Sequence, residues 1–479
     1  MAILWGHSLL QCNGESGVSI AGPWCARSSA FECLPKAGGN VTMRALAAPL
    51  AGRAGRLDAL VAGTSKTRLL VLLYLVALGV SLAVGFAISY RSGAEVLDYD
   101  EWEYWRLSSD LLAGSFDDPG RRTAGFPLVV AALRLLIDDI RFVQIALTML
   151  AALSVPLLAL AMLRCGADRT AALLGGLALA LWPPHVFLAT SLYSESLALV
   201  ALLLLFIAMP RTASPLAKAL WWCLVSGLLL GVLAHIRTMY QLLLPVLLLV
   251  LLLQGWKLRD ALAGWFAIAV GFALVVLPWS LYVSERTGTP TLLTANGGET
   301  LAGGLNPNLF EKEGKVLELE RRSTWVGPGK WIEAGQTGYL SQTERELPYA
   351  EQDRLLRTRV TAWVVANPHD AAYLSWRKLA YMWAGYPWAH QDVRGLWLGS
   401  VPIVMLLALF LTALAVNPRL VPRYARFVIL PVFVSGIALI SWGSWRFRHP
   451  ADAAMLAVVA VAAIQWLRAW ASRWPEREP

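Results

Sequence analysis

The run Asp98-Tyr99-Asp100-Glu101-Trp102-Glu103-Tyr104-Trp105 sets four carboxylates and four aromatic rings in eight residues, just after the first long apolar stretch. Carboxylates cost several kcal/mol in hydrocarbon, so the run belongs at an interface or in a wet cavity. There it can hold a cation or take up a proton. A second group of chemically capable residues is basic: Arg122, Arg237, Lys378, Arg446 and Arg448. A guanidinium donates two parallel hydrogen bonds to a phosphate, which makes these arginines candidate anion ligands.

The rest of the chain is built for lipid. Of its 479 residues 57% are hydrophobic and only 15% charged, and the mean hydropathy is +0.55. That composition excludes an ordinary soluble enzyme. Apolar windows predict ten spans, at 69–89, 142–163, 171–190, 193–209, 219–236, 239–254, 262–283, 396–416, 427–443 and 451–468. The net charge of +9 comes from arginines in short loops, a pattern of topology and anionic-lipid contact rather than nucleic-acid binding. Arg44, Arg53, Arg56, Lys66 and Arg68 precede the first span. The pairs Arg164/Arg169, Arg211/Lys218 and Lys257/Arg259, the trio Arg419/Arg423/Arg426, and Arg468/Arg473 fall on the same side, which predicts both termini in the cytoplasm.

On this plan 1–67 is a cytoplasmic tail, 68–283 a transmembrane core with a first outer loop at 90–141, 284–395 a second outer segment, and 396–479 the last spans with a short tail. Met43, followed by arginine-rich sequence, reads as the start, with 1–42 a gene-model artefact. Thr123 to Ile137 predicts a surface-lying helix too short to cross, and 369–390, rich in Trp and Tyr, an interfacial one. The five cysteines (Cys12, Cys25, Cys33, Cys165, Cys223) show neither a CxxC pair nor metal spacing. The histidines are isolated, so none is expected as a ligand. Asn296-Gly297-Gly298 reads as a tight turn whose backbone donors could meet a phosphate or sugar. Asp98 and Glu103 read as surface or capping groups.

One ordered series runs through the chain: Asp100-Glu101-x-x-Tyr104, Arg122-x-x-Gly125-Phe126-Pro127, Trp182-Pro183-Pro184, Ser194-Glu195, His235-Ile236-Arg237, Pro278-Trp279, Asn296-Gly297-Gly298, Arg377-Lys378-Leu379 and Arg446-Phe447-Arg448-x-Pro450. The series resembles the GT-C class of membrane glycosyltransferases, closest to bacterial relatives of the protein O-mannosyltransferases and aminoarabinose transferases (glycosyltransferase family 39). The resemblance implies an all-helical polytopic bundle in the bacterial inner membrane. It also implies transfer of a sugar from a polyprenyl-phosphate carrier to a lipid, glycan or protein acceptor at the outer face. By the same resemblance Asp100 is the base for the acceptor hydroxyl, with Glu101 orienting the acceptor or a basic partner. Tyr104, Arg122, Glu195, Arg237, Lys378, Arg446 and Arg448 would surround the substrate.

Each residue also has a plainer reading. Asp100 can serve as a helix N-cap, Arg446 and Arg448 can snorkel to headgroups, Arg237 can form a packing ion pair with Glu195, and Lys378 can touch headgroups. No cofactor or metal is expected; the alternative is a divalent cation between Asp100 and Glu195. The competing functions are a lipid or solute transporter, and a polymerase or ligase using a lipid-diphosphate donor.

Overall fold

The computed structural model describes residues 63–90, 99–116, 120–210, 215–305, 343–383 and 393–472, together with 61, 97, 340 and 341. The N-terminal tail with Cys12, Cys25, Cys33 and Met43, and also Asp98, lie outside the described residues. Among the described residues all regular structure is helical. In chain order the helices are α1 (Lys66–Ser89), α2 (Tyr99–Leu112), α3 (Gly125–Arg134), α4 (Ile140–Arg164), α5 (Arg169–Ala180), α6 (Pro183–Thr190), α7 (Ser194–Ala208) and α8 (Leu216–Ile236). Then follow α9 (Leu243–Leu253), α10 (Leu258–Thr287), α11 (Gly297–Gly304), α12 (Tyr349–Ala366), α13 (Pro368–Trp383), α14 (Val393–Val416), α15 (Leu420–Arg423), α16 (Ala425–Ile440) and α17 (Trp445–Ala471).

All ten predicted windows fall on helix, and the chain is a multi-pass membrane protein. Among the described residues α1, α4, α8, α10 and α17 are each long and apolar enough to cross a bilayer. A sixth span forms if α5 and α6 count as one, bent by 60°. The bend falls where Pro183 and Pro184 start α6, since proline donates no backbone hydrogen bond to the preceding turn. Helix forms within 123–137 as α3, and α13 covers the start of the 369–390 stretch.

Packing follows from small residues. At the crossing of α8 and α10, a Cβ on Gly227 would strike the Ile268 carbonyl, and one on Gly271 the Leu224 carbonyl. Backbones can come this close only through glycine, and such contacts drive helix association in lipid. Helix α17 lies at the centre: every residue from 448 to 458 is buried, and its alanines let neighbours approach on all sides.

Charges gather at two ends. At one, Arg468 pairs with Asp168 at 2.6 Å, Arg169 donates to the Thr64 carbonyl at 2.9 Å, and Arg423 donates to the Cys165 carbonyl at 3.2 Å. At the other stand Asp100, Glu195, Arg237 and Arg446. Along α17, Arg446 and Arg468 are about 33 Å apart, close to the thickness of a bilayer's hydrocarbon core.

Candidate active site

Helix α2 begins with Asp100 and Glu101 in its first turn, where the helix dipole favours negative charge. A step of 100° per residue puts Asp100, Glu103 and Tyr104 on one face and turns Glu101 away. Thus Glu101 accepts the Leu192 backbone N–H at 2.8 Å, while Asp100 and Glu103 turn to the arginines of the loop 120–124. Arg122 donates from Nη2 to Asp100 Oδ1 at 3.0 Å and to Glu103 Oε2 at 2.7 Å. Its fork is thereby fixed on two carboxylates one helical turn apart.

The chain of opposite charges runs across six segments. Arg446, in the first turn of α17, donates from Nη1 to Asp100 Oδ2 at 2.8 Å and from Nε to Glu195 Oε1 at 2.5 Å. Glu195, in the first turn of α7, also takes Arg237 Nη1 at 3.0 Å, from the end of α8. In the other direction Glu103 Oε1 lies 3.6 Å from Arg121 Nε, and Arg121 Nη2 lies 3.9 Å from Glu299 Oε1 on α11. The result is an alternating ladder: Glu299, Arg121, Glu103, Arg122, Asp100, Arg446, Glu195, Arg237. Four carboxylates and four guanidiniums balance, which lets the cluster survive partial burial.

The ladder borders a cavity of about 720 Å³, within the usual range for small-molecule sites. Asp100 and Glu299 line it with Arg121, Arg122, Arg237 and Arg446, whereas Glu103 and Glu195 stand behind them. The surface offered to a ligand therefore carries two more positive than negative groups, and the carboxylates behind keep the guanidiniums in place. Aromatic rings hold them too: Arg446 lies over Tyr193 at 4.1 Å and Arg237 over Phe447 at 4.7 Å. Among the described residues Arg122 Nη1 and Arg446 Nη2 have no hydrogen-bond partner, so each keeps a donor for an anion. Burial raises the pKa of Asp100, but Arg446 and Arg122 outweigh it and hold the carboxyl down to about 2.

Among the residues singled out from sequence, the structure brings Asp100, Tyr104, Arg122, Arg237 and Arg446 to the cavity wall. Glu195 supports two of them from behind. Tyr104 meets Ser194 through its hydroxyl at 3.2 Å. Glu101 sits elsewhere, on the backbone that leads into α7. Arg448 is turned two steps further round α17, where it pairs with the fully buried Asp452 at 2.8 Å. Lys378, 1% exposed, meets no headgroup; its Nζ donates to the Ser441 carbonyl at 2.8 Å, and burial pushes its pKa down to about 7.

Four readings need correction. Glu103 is no surface group: it is buried and takes two hydrogen bonds from Arg122. Arg446 and Arg448 face inward instead of snorkelling. Asn296-Gly297-Gly298 opens α11, and Asp353 accepts the next backbone N–H, that of Glu299, at 2.9 Å; a Cβ on Gly298 would strike the Asp353 carbonyl. His185 and His449 are not isolated: their rings stack, with Nδ1 and Nε2 3.0 Å apart. Glu299 was missed because it belongs to no motif; only its nearness to the glycine pair marked the region. Among the described residues no group of three or more His, Cys, Asp or Glu side chains could hold a metal ion.

No protein-family model matches the chain, and no curated protein matches it. Solved structures do. An oligosaccharyltransferase, AglB, from Archaeoglobus fulgidus, solved with an inhibitory peptide and a dolichol-phosphate, is similar at 15% identity and a TM-score of 0.49, over 86% of this chain and 52% of that one. ArnT from Cupriavidus metallidurans bound to undecaprenyl phosphate is similar at 17% identity and a TM-score of 0.37, over 82% and 78%. Apo ArnT gives 18% identity, a TM-score of 0.39, and 84% and 78% coverage. The chain spans about half the length of the archaeal oligosaccharyltransferase.

Proposed function

We propose that this protein is a GT-C-type glycosyltransferase that moves a sugar from a polyprenyl-phosphate carrier to an acceptor hydroxyl. The reaction would take place at the outer face of the bacterial cytoplasmic membrane, with both termini inside. The observation that carries the reading is Asp100 held between Arg122 and Arg446 on a cavity that also has an apolar wall. That wall, with Ile236, Met239, Leu242, Ile437 and Ile440, suits an isoprenoid tail. The guanidiniums suit its phosphate.

Asp100 removes the acceptor's proton as the hydroxyl oxygen attacks the anomeric carbon. The bond from that carbon to the phosphate oxygen breaks, and the carrier leaves as polyprenyl phosphate. Arg122 and Arg446 stabilise the charge that develops on it. A single displacement inverts the anomeric centre. With pKa about 2 the carboxylate is a weak base in the empty site. A bound phosphate competes for the same guanidiniums, loosens their hold and raises its basicity. No nucleotide is required, and the site carboxylates face guanidiniums, which favours a mechanism without a catalytic metal.

The test is transfer from labelled undecaprenyl-phosphate sugars in membranes containing the wild-type protein. Transfer with inversion supports the reading. No transfer from any donor, with lipid or solute movement in vesicles, would replace it by a transporter. Transfer only from lipid-diphosphate donors, unaffected by Asp100→Asn, would replace it by a polymerase or ligase.

A further inference from the structure

The two ends of the charge ladder open onto different surroundings. The lining segment that carries Arg237 holds three apolar side chains, Ile236, Met239 and Leu242, beside Thr238 and Gln241, whereas the segment that carries Glu299 holds one, Leu301, beside Thr294, Asn296 and Thr300. An amphipathic ligand with an apolar tail, a central phosphate and a polyhydroxy head therefore has one favourable direction. Its tail lies by Arg237, its phosphate at Arg122 and Arg446, and its head against α11.

Glu299 is the acidic member of that polar wall, and it is held in place. Tyr349 donates its hydroxyl to Glu299 Oε2, and Asp353 fixes the Glu299 backbone N–H at 2.9 Å. The wall is tied to the arginine loop by Ala295 N–H donating to the Gly120 carbonyl at 2.6 Å and by Asn296 Nδ2 donating to the Arg121 carbonyl at 3.1 Å. The other oxygen, Oε1, lies 3.9 Å from Arg121 Nη2, beyond hydrogen-bond reach, in a side chain that lines the cavity. Asp100 has both oxygens on guanidiniums, whereas Glu299 keeps one able to accept from a ligand hydroxyl. Burial, then the adjacent Glu299 carboxylate, raises the Tyr349 pKa, which keeps the phenol a donor.

We propose that Glu299 is the specificity-determining carboxylate that binds hydroxyls of the carrier-linked sugar through Oε1. This rests on the glycosyltransferase reading above and gives the donor's direction in the site. A charge-assisted hydrogen bond to a ligand hydroxyl is worth roughly 10- to 100-fold in affinity.

The experiment compares binding of undecaprenyl phosphate with that of undecaprenyl-phosphate glucose, mannose, N-acetylglucosamine and arabinose to purified wild type, Glu299→Gln and Tyr349→Phe, with thermal unfolding of each. The expected result is that at least one sugar-bearing lipid binds wild type more tightly than the bare carrier. Glu299→Gln should erase most of that advantage while leaving bare-carrier affinity within about 3-fold. Tyr349→Phe, which keeps the carboxylate, should retain most of it. Equal weakening of all lipids by Glu299→Gln would make Glu299 a structural residue and overturn the proposal. So would an unchanged preference in the variant, or a wild type that binds the bare carrier as well as every sugar lipid. Failure of wild type to bind even the bare carrier would instead remove the glycosyltransferase reading, and this proposal with it.

Discussion

Replacing Asp100 by Asn removes a charge and almost no volume, and the structure predicts opposite effects on binding and chemistry. The fall in the Asp100 pKa from an ordinary 3.8 to about 2 corresponds to roughly 2 kcal/mol of net interaction with its guanidiniums. This folded-state contribution is present above pH 4 and is lost as pH falls through the folded value, so the variant should lose stability at neutral pH and match wild type near pH 2. Arg122 and Arg446 keep their anchors on Glu103 and Glu195, so the anion site survives. Freed of a competing carboxylate, it should bind undecaprenyl phosphate as tightly as wild type or up to roughly 30-fold more tightly. Loss of the base should lower kcat by about 10²- to 10⁴-fold. Single-turnover sugar transfer and carrier binding, measured on the same detergent-purified protein, check both. A kcat within 5-fold of wild type would remove Asp100 as base. Carrier binding weakened more than 10-fold in a folded variant would show that Asp100 serves to arrange the arginines.

Three other outcomes follow from the geometry. Arg446→Lys keeps the charge but cannot span Asp100 and Glu195 with one planar group, and should weaken undecaprenyl phosphate binding about 10-fold by titration. Lys378→Met should raise Tm, because a lysine held down to about 7 is protonated in the folded state only at the cost of desolvation. The unfolded chain binds the extra proton between pH 7 and 10.5, so wild-type stability rises with pH across that window; the variant's advantage, at most roughly 3–5 kcal/mol at pH 6, should vanish towards pH 10. Gly227→Ala puts a methyl against the Ile268 carbonyl and should lower stability by about 1–3 kcal/mol in thermal unfolding without changing carrier affinity in the surviving fold.

Much of the site was legible because charge is rare here. In a chain that is 15% charged, an acidic run after a span and arginines on the wrong side for topology stand out, and the structure joins Asp100, Arg122, Arg237 and Arg446 at one cavity. The misreadings came from side-chain direction. Glu101 and Glu103 flank the same tryptophan, yet one reaches the backbone near α7 and the other Arg122. Arg446 and Arg448 likewise diverge by two steps of α17, one to the ladder and one to Asp452.

By itself the sequence determined where helices form, since long apolar runs in lipid must satisfy their backbone internally. It also determined which ends carry the charge, because guanidiniums and carboxylates cannot rest in hydrocarbon without partners. Which acid meets which base was decided only by the tertiary structure. Asp100 and Arg446 lie 346 residues apart and meet at 2.8 Å, and no local spacing encodes that meeting. It depends on how glycine and alanine faces let α8, α10 and α17 pack, and on the angle at which each helix then presents its first turn to the cavity.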